Sequence, residues 1–254
     1  MEKEVSYGYK KVAASEKRRL IRGHFDAIAL RYDLADNLLS FGLHFFWRRR
    51  ALNLLGLRPG DKVLDLCSGT ADFSVMAAGR IGPRGKAFAF DISMEMLNVG
   101  RQKAIRAGVE EQISWVQGEA EAMGFGTESL DAVIVGYGIR NFVSLDKGLQ
   151  EIYRVLKPGG KFLAMEFSIP QTAWLRALYR IYSFKVMPGA GKLITGTAKP
   201  FYYLAESVQV FPAPERIKAL LTSGGFAKSG FERLSNGLAV LYFGEKPACQ
   251  SPGN

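Results

Sequence analysis

The chain has 254 residues, of which 48% are hydrophobic, enough for one α/β domain with additions or for two small domains. No apolar stretch approaches the roughly 20 residues of a membrane span, so we expect neither an integral membrane protein nor, without a signal-peptide pattern, a secreted one. The formal net charge of +10 leaves nucleic acid and anionic lipid as candidate partners. Cys67 and Cys249 lie far apart in sequence, which argues against a structural disulfide and favours a reducing compartment.

The first 56 residues predict a helical cap. Residues 1–12 are polar, and we expect them to be poorly ordered. Apolar positions at helical spacing predict a helix over residues 15–31, whereas residues 32–42 look less regular. A further helix over 45–55 should end at Gly56.

The next segment predicts a strand, a tight turn, a helix and a second strand. Residues 63–66 form the first strand, small residues from Ser68 to Ala71 form the turn, and the second strand ends at Asp91. A turn of small residues lets a ligand approach the backbone, and an acid at the end of the next strand can hold a ribose. The pattern indicates a nucleoside-cofactor site, with an ordinary strand-turn-helix as the alternative.

The composition of the turn favours one class of cofactor. A dinucleotide site needs a G-x-G-x-x-G turn for its pyrophosphate, but Gly69 stands almost alone and no basic residue accompanies it. Asp65 precedes the turn and suits a cationic ligand. S-adenosylmethionine has a sulfonium, an ammonium and no phosphate, so it fits better than a diphosphate.

Strands and helices alternate through the rest of the chain, which predicts a mostly parallel sheet covered on both faces. Predicted helices cover residues 71–80, 94–107, 145–156 and 213–223, and predicted strands cover 87–91, 113–117, 130–135, 161–167, 227–235 and 238–244. The last two strands read as an antiparallel pair joined at Asn236-Gly237. We therefore divide the chain into a cap (1–56), a main domain (57–246) with a lid insert (170–205), and a tail (247–254).

Basic and aromatic residues are interleaved in the insert. No acidic residue occurs between Glu166 and Glu206, and Arg48-Arg49-Arg50 form a second basic cluster beside three aromatic residues. This pattern favours a surface that touches anionic headgroups. RNA binding by stacking and a solvated basic face are the alternatives.

Four longer motifs carry a family resemblance. They run from Arg31 to His44, from Gly136 to Phe142, from Tyr153 to Gly160 and from Phe201 to Pro212. With them, residues from about 20 to 246 resemble the ubiquinone/menaquinone biosynthesis C-methyltransferases, which are class I S-adenosylmethionine-dependent methyltransferases. The resemblance implies a Rossmann-like α/β fold, with a mostly parallel seven-stranded sheet that contains one antiparallel strand. It also implies C-methylation of a polyprenyl quinol ring, with demethylmenaquinol as the first choice.

The resemblance also implies the cofactor site. Thr70 would meet the methionine end, Asp91 both ribose hydroxyls, and Glu119 the adenine. The family usually has Gly at position 71 and often Ser at position 136, where this chain has Ala71 and Gly136. The predicted cofactor-binding residues are Asp65, Gly69, Thr70, Asp91, Ile92, Glu119, Ala120 and Gly136.

The acceptor site is expected after the fourth strand. A reduced quinol must lose a phenolic proton before its ring carbon attacks, and Arg140 could stabilise the phenolate while Asn141 holds an oxygen. Tyr32 is the third predicted catalytic residue. The alternatives are that Arg140 pairs with Asp131 or Glu166, and that Tyr32 is a core aromatic.

The two histidines, His24 and His44, are expected on a helix face or at a cap, with His44 the better of the two as a base because it lies in a motif. No metal-ligand spacing occurs. We expect a polyprenyl quinol substrate, no nucleic-acid partner, and a cytoplasmic protein peripheral on the inner face of the membrane. A homodimer is one alternative for the oligomeric state. A lipid or small-molecule N-methyltransferase and an RNA-binding or RNA-modifying protein remain alternatives for function.

Overall fold

The computed structural model describes residues 2–248, so the part of the tail from Cys249 to Asn254 lies outside the described residues. The strands are β1 (Glu4–Tyr7), β2 (Lys10–Ala13), β3 (Lys62–Leu66), β4 (Lys86–Asp91), β5 (Ile113–Gln117), β6 (Leu130–Gly136), β7 (Leu156–Phe167), β8 (Ala227–Leu234) and β9 (Ala239–Glu245). The helices are α1 (Ala14–Ile28), α2 (Tyr32–Leu39), α3 (Leu43–Leu55), α4 (Asp72–Ile81), α5 (Met94–Arg106), α6 (Leu145–Val155), α7 (Ala173–Ile181), α8 (Met187–Thr195), α9 (Lys199–Val210) and α10 (Pro214–Ser223). Within the described residues, no helix combines the length and the apolar character needed to cross a membrane.

Seven strands form one sheet in the order β5-β4-β3-β6-β7-β9-β8. All neighbours pair in parallel except β9, which is antiparallel to both β7 and β8. This topology confirms the predicted mostly parallel sheet with one antiparallel strand. Strands β3 and β6 lie in the middle of the sheet. They are apolar over nearly their whole length because helices cover both faces of the sheet.

The sheet brings separate loops of the chain to one edge. The carboxyl ends of β3, β4, β5 and β6 lie side by side, and β3 is the point from which the chain order runs in both directions. Loops after such strands form a crevice where ligands bind in open α/β sheets. The predicted cofactor turn and the segment with Arg140 therefore face the same crevice.

The prediction that residues 1–12 are poorly ordered is wrong. Strands β1 and β2 form an antiparallel hairpin with Val5 opposite Val12. The Tyr7 ring stacks on Tyr203 at 4.5 Å between centroids, and the Tyr9 N–H donates to Glu206 at 3.3 Å. Both contacts are made with α9, nearly 200 residues away in sequence, so no local pattern indicates them.

The segment that looked irregular, residues 32–42, contains helix α2. Leu34 and Leu38 point outward, while Ala35 is buried. The helix has 8 residues, so it offers only about two turns of periodic signal in the sequence. Gly42 has a φ of +72°, which interrupts the helical backbone between α2 and α3.

The insert is helical and packs on the cap. It contains α7, a π-helical turn over Tyr182–Val186, α8 and the first part of α9. Met187, Phe201 and Ala205 form a small apolar cluster with Ala35 of α2. Helix α9 continues to Val210, so the predicted end of the insert at 205 falls inside a helix.

Candidate functional site

A pocket lies at the carboxyl edge of the sheet, and the structure brings all the predicted site residues to its wall. The wall includes the eight predicted cofactor residues Asp65, Gly69, Thr70, Asp91, Ile92, Glu119, Ala120 and Gly136, and also Tyr32, Arg140 and Asn141. All of them except Tyr32, which lies on α2, are at or after the carboxyl ends of four parallel strands, so the sheet topology makes them neighbours. The binding roles of these residues stay predictions.

The turn after β3 has an unusual backbone. Cys67, Gly69 and Ala71 all have positive φ, at 58°, 52° and 61°. The conformation costs an alanine about 1 kcal/mol, which explains why glycine is the usual residue at position 71. A Cβ built on Gly69 would meet nothing within 4 Å, so the backbone there is open to a ligand.

Asp65 presents an unused carboxylate oxygen to this pocket. Its Oδ2 accepts the N–H and the hydroxyl of Ser74 at 2.8 and 2.7 Å. Its Oδ1 is buried and has no hydrogen-bond partner among the described residues. Burial raises the pKa of this carboxyl to about 7. A buried acceptor without a partner fits the ammonium of S-adenosylmethionine.

Asp91 closes the opposite side of the turn. It accepts the N–H of Gly69 and the N–H of Ser93, both at 2.8 Å. A carboxylate has about four acceptor positions, so two remain for ligand hydroxyls. Burial raises the pKa of Asp91 to about 6. The residues present therefore fit the predicted cofactor at its ribose as well as at its amino group.

Two of the predicted residues, one in the turn after β3 and one after β5, connect the pocket to the cap. The hydroxyl of Thr70 donates to Asp33 of α2 at 2.6 Å, and Glu119 pairs with Arg18 of α1 at 2.9 Å. The Thr70 hydroxyl is thus already used by the protein, which leaves its backbone amide for the ligand. These contacts hold α1 and α2 across the pocket.

The ring of Phe73, rather than a ligand, explains the glycine at position 136. A Cβ at this position would lie 2.7 Å from the ring of Phe73. In this chain a serine there would collide with that ring, which accounts for the departure from the family pattern.

A second, larger cavity adjoins the cofactor pocket. It has a volume of about 460 Å³ and is lined mainly by apolar side chains from α1, α2 and the insert. Four residues, Phe25, Tyr32, Tyr137 and Arg140, line both spaces. Sequence reasoning missed this cavity because its walls come from segments more than 130 residues apart. We call it the acceptor cavity.

Arg140 stands at the junction of the two spaces in a buried ion pair. Its Nη1 donates to Glu166 at 2.6 Å and also to the Tyr137 carbonyl. Burial opposes the charged form of Arg140, but the carboxylate of Glu166 outweighs it and raises the pKa of the guanidinium. The expected alternative of a pair with Glu166 is confirmed. The pair with Asp131 is wrong, because Asp131 binds Lys157.

Asn141 follows directly and is fixed by the insert. Its Oδ1 accepts the hydroxyl of Tyr203 at 3.0 Å. With the oxygen used in this way, the amide N–H groups remain as donors. Arg140 and Asn141 together offer donors, and no acceptor, to an oxygen at the junction.

The second basic cluster is divided between the interior and the surface, since Arg49 and Arg50 are exposed. Arg48 is buried and pairs with Asp36 at 2.9 Å and with Asp72 at 3.0 Å. Arg50 pairs with Glu232, which leaves Arg49 as the member without an ion pair among the described residues. His44 is also buried and lines neither space, so its motif position does not make it a base for the acceptor.

Comparison with known proteins agrees with this geometry. The model of the ubiE/COQ5 methyltransferase family matches residues 11–246. The ubiquinone/menaquinone biosynthesis C-methyltransferase UbiE of Shewanella sp. (strain W3-18-1) is 39% identical over 244 residues, covering 96% of this chain and 97% of that protein. The enzyme of the same name from Pasteurella multocida (strain Pm70) is 39% identical, covering 96% of this chain and 91% of that protein.

Solved structures agree on the fold. An S-adenosylmethionine-dependent methyltransferase from Aquifex aeolicus has a TM-score of 0.58 at 15% identity and covers 92% of this chain and 99% of that chain. Phosphoethanolamine N-methyltransferase 2 from Haemonchus contortus, in complex with S-adenosyl-L-methionine, has a TM-score of 0.57 at 17% identity and covers 79% of this chain and 52% of that chain. No group of three or more histidine, cysteine, aspartate or glutamate side chains in residues 2–248 is arranged to hold a metal ion.

The raised pKa values predict how pH affects cofactor binding. Asp65 and Asp91 must be ionised to bind an ammonium and two hydroxyls, so the affinity for S-adenosylmethionine should fall as pH drops through about 7 and again through about 6. Each protonation should cost up to about tenfold per pH unit. The stability of the free protein should respond in the opposite sense, because a raised native pKa stabilises the fold as pH falls. Titration calorimetry from pH 8 to pH 5 measures the affinity.

Asp65→Asn is the matched variant for this prediction. It should remove the upper step and retain the lower one. An affinity of the wild type that stays constant between pH 8 and pH 5 would contradict the role of both carboxylates.

Proposed function

The chain belongs to the ubiE/COQ5 methyltransferase family, and from this premise we propose that it methylates a ring carbon of a polyprenylated quinol, with demethylmenaquinol as the first choice. The methyl donor is S-adenosylmethionine. The observation that supports this acceptor is the large apolar cavity that joins the cofactor pocket at Arg140.

The cavity favours a quinol over the alternative acceptors. A phosphoethanolamine headgroup or an RNA would bring phosphate charge among apolar walls, where an unpaired charge is strongly disfavoured. A naphthoquinol has a flat apolar ring with one oxygen on each side, and each oxygen needs a hydrogen-bond partner. The donors of Arg140 and Asn141 match one such oxygen.

The chemistry assigns roles to the residues at the junction. A quinone ring is electron-poor, so the reduced form must be the substrate, and loss of a phenolic proton makes the carbon beside the oxygen nucleophilic. When bound, the cofactor supplies a sulfonium methyl group as the electrophile. Arg140 stabilises the phenolate oxygen, Asn141 donates to the same oxygen, and the apolar walls disfavour water beside the reacting ring.

A parallel transfer assay tests the proposal. Labelled S-adenosylmethionine is offered with short-tail demethylmenaquinol, its benzoquinol counterpart, phosphatidylethanolamine and total RNA. We expect label on the quinol ring carbon and none with the oxidised quinone, which serves as the matched control. Label in phospholipid or RNA alone would overturn the proposed substrate.

The role of the Arg140 charge in turnover must be tested with its partner Glu166 changed as well. Removing Arg140 alone leaves a buried carboxylate without its partner, which costs about 3–5 kcal/mol and confuses a catalytic effect with unfolding. The double variant Arg140→Gln/Glu166→Gln removes both charges. It should melt close to the wild type, bind the cofactor normally and lose about 10²-fold or more in kcat, because no cation stabilises the phenolate.

Arg140→Lys alone is the control for this design, since it keeps a cation beside Glu166 at the junction. It should retain more activity than the double variant. A double variant with near wild-type kcat would show that the charge of Arg140 has no part in the reaction.

We also propose that the protein binds the inner face of the cytoplasmic membrane as a peripheral protein. Exposed apolar side chains occur on the cap and the insert and form what we call the apolar rim: Leu30, Leu34, Leu38, Phe41, Phe45, Phe46, Trp174, Leu178, Ile181 and Leu193. Phe41, Leu178 and Ile181 belong both to the rim and to the wall of the acceptor cavity. The cavity therefore opens within the rim, where an isoprenoid tail could pass from lipid.

Within the insert, some apolar and aromatic side chains face outward and others face the acceptor cavity. Trp174 is 69% exposed, whereas Leu175, Tyr179 and Tyr182 line the acceptor cavity. The Arg176 guanidinium donates to two backbone carbonyls, but Arg180 and Lys185 are exposed. Arg180 and Lys185 are thus the basic groups best suited to meet anionic headgroups.

Charge reversal at these two positions should weaken membrane association. The wild type should sediment with phosphatidylglycerol vesicles at low salt and be released at high salt. Each basic group near such a surface contributes about 1 kcal/mol, so Arg180→Glu/Lys185→Glu should bind at least about tenfold more weakly. Arg58→Glu/Arg84→Glu, at exposed positions on the amino-terminal edge of the sheet, makes the same charge change and should bind like the wild type. Equal sedimentation of both double variants would show that the insert is not part of the proposed membrane-binding surface.

A further inference from the structure

Tyr137 carries a buried hydroxyl group that no described residue satisfies. The residue follows β6 directly and is 6% exposed, and it lines both the cofactor pocket and the acceptor cavity. Its hydroxyl oxygen is buried and has no hydrogen-bond partner within residues 2–248. A buried polar group without a partner is costly, so such a group in the wall of a cavity indicates contact with a ligand.

Arg140 carries a second buried donor without a partner at the same junction. Its Nη1 donates to Glu166 and to the Tyr137 carbonyl, whereas its Nε has no partner among the described residues. Arg140 and Tyr137 are two of the four residues that line both spaces. Two unpaired donors in one wall suit a ligand that brings oxygen acceptors.

The ring of Tyr137 is fixed on the acceptor side of the junction. It stacks on Phe167 at 4.2 Å between centroids, with 13° between the two planes. Phe167 lines the acceptor cavity but not the cofactor pocket. The backbone of Tyr137 has a φ of +57°, which is rare for an aromatic residue, and its N–H donates to the Met165 carbonyl at 2.7 Å. The stack and the backbone contact therefore hold the hydroxyl in one place.

The charges near Tyr137 favour a quinol oxygen over the carboxylate of the cofactor. Burial, and after it the carboxylate of Asp36, raise the pKa of Tyr137 well above its ordinary value, so the hydroxyl stays protonated and can donate. Arg48 acts in the opposite direction, but it is already paired with Asp36 and Asp72. An anionic carboxylate beside Asp36 would be repelled, whereas the hydroxyl of a quinol is neutral when it binds.

Other polar side chains of the acceptor cavity already have partners within the protein. Tyr182 and Tyr203 donate their hydroxyls to protein oxygens at 2.6 and 3.0 Å. His24 shares a hydrogen bond with the hydroxyl of Tyr7. Among the tyrosines of this wall within residues 2–248, Tyr137 alone has a fully buried hydroxyl without a partner.

We propose that the hydroxyl of Tyr137 donates a hydrogen bond to an oxygen of the quinol and so fixes the orientation of the ring beside the methyl donor. This inference rests on the proposed function, since it assumes a quinol in the acceptor cavity. The contact is one of binding, and no proton changes its place.

The stability of the ligand-free protein gives the first test. Tyr137→Phe removes only the hydroxyl and keeps the ring on Phe167, so the variant should melt at the wild-type temperature or above it. Tyr182→Phe is the matched control in the same wall. Its hydroxyl donates to the Leu39 carbonyl, and its loss should lower the melting temperature by about 2–4 °C. A similar loss in Tyr137→Phe would show that the protein itself uses the hydroxyl and would overturn the proposal.

Titration calorimetry with a short-tail menaquinol, under anaerobic conditions and with S-adenosylhomocysteine bound, measures the contact itself. Tyr137→Phe should bind the quinol about 2–12-fold more weakly, the contribution of one hydrogen bond, and should bind S-adenosylmethionine with unchanged affinity. A loss of affinity for S-adenosylmethionine alone would assign the hydroxyl to the cofactor and overturn the proposal. Unchanged affinity for both ligands would overturn it as well.

Two naphthols, each lacking one oxygen of the quinol, show whether the lost affinity comes from a hydrogen bond. Short-tail 2-prenyl-1-naphthol keeps the oxygen beside the tail, and 3-prenyl-1-naphthol keeps the oxygen beside the carbon that is methylated. The wild type and Tyr137→Phe should bind one of the two naphthols alike and differ on the other, because the hydroxyl donates to one oxygen. The same result with both naphthols would overturn the proposal.

These binding measurements separate the inference from the proposed function because they need no turnover. A wild type that binds the quinol through Tyr137 but transfers no methyl group to it would fail the proposed function alone. Normal turnover in the wild type, with equal quinol affinity in Tyr137→Phe, would overturn the role of Tyr137 alone. A wild type that binds no quinol would overturn both.

Discussion

The buried pair of Arg140 and Glu166 is the constraint around which the site is built. Glu166 is fully buried near the end of β7, and Arg140 follows β6, the neighbouring strand. Neither charge would remain in the interior without the other, because desolvation of a single ion costs several kcal/mol. Their pairing therefore fixes the loop after β6 and keeps a positive charge between the cofactor pocket and the acceptor cavity.

The electrostatics of the two spaces are opposite in sign. On the cofactor side, Asp65 and Asp91 are buried acids, which suits a cationic ligand. On the acceptor side, Arg140 and the Asn141 amide offer donors to a developing anion. A reaction that joins a cationic methyl donor to an anionic phenolate needs this division, because each site stabilises the charge of its own reactant.

The cap and the insert link the two spaces mechanically. Helices α1 and α2 are bound to the cofactor loops through Asp33–Thr70, Arg18–Glu119 and Asp26–Ser93. The same helices carry Phe25, Tyr32 and His24 in the wall of the acceptor cavity. The same helices thus cover the cofactor pocket and complete the acceptor cavity. The exposed apolar rim lies on their outer side.

The parallel core and the cofactor pocket follow from the sequence alone. Alternating apolar strands and helices predict the core, and the turn after β3 with Asp91 marks the pocket, because these signals depend on residues close together in the chain. For Arg140 the sequence allows a pair with either Asp131 or Glu166. The hairpin of β1 and β2, the acceptor cavity, the burial of Arg48 and the place of His24 follow only from the folded structure. Each depends on contacts between the cap and elements far away in sequence, and a local pattern carries no information on such packing.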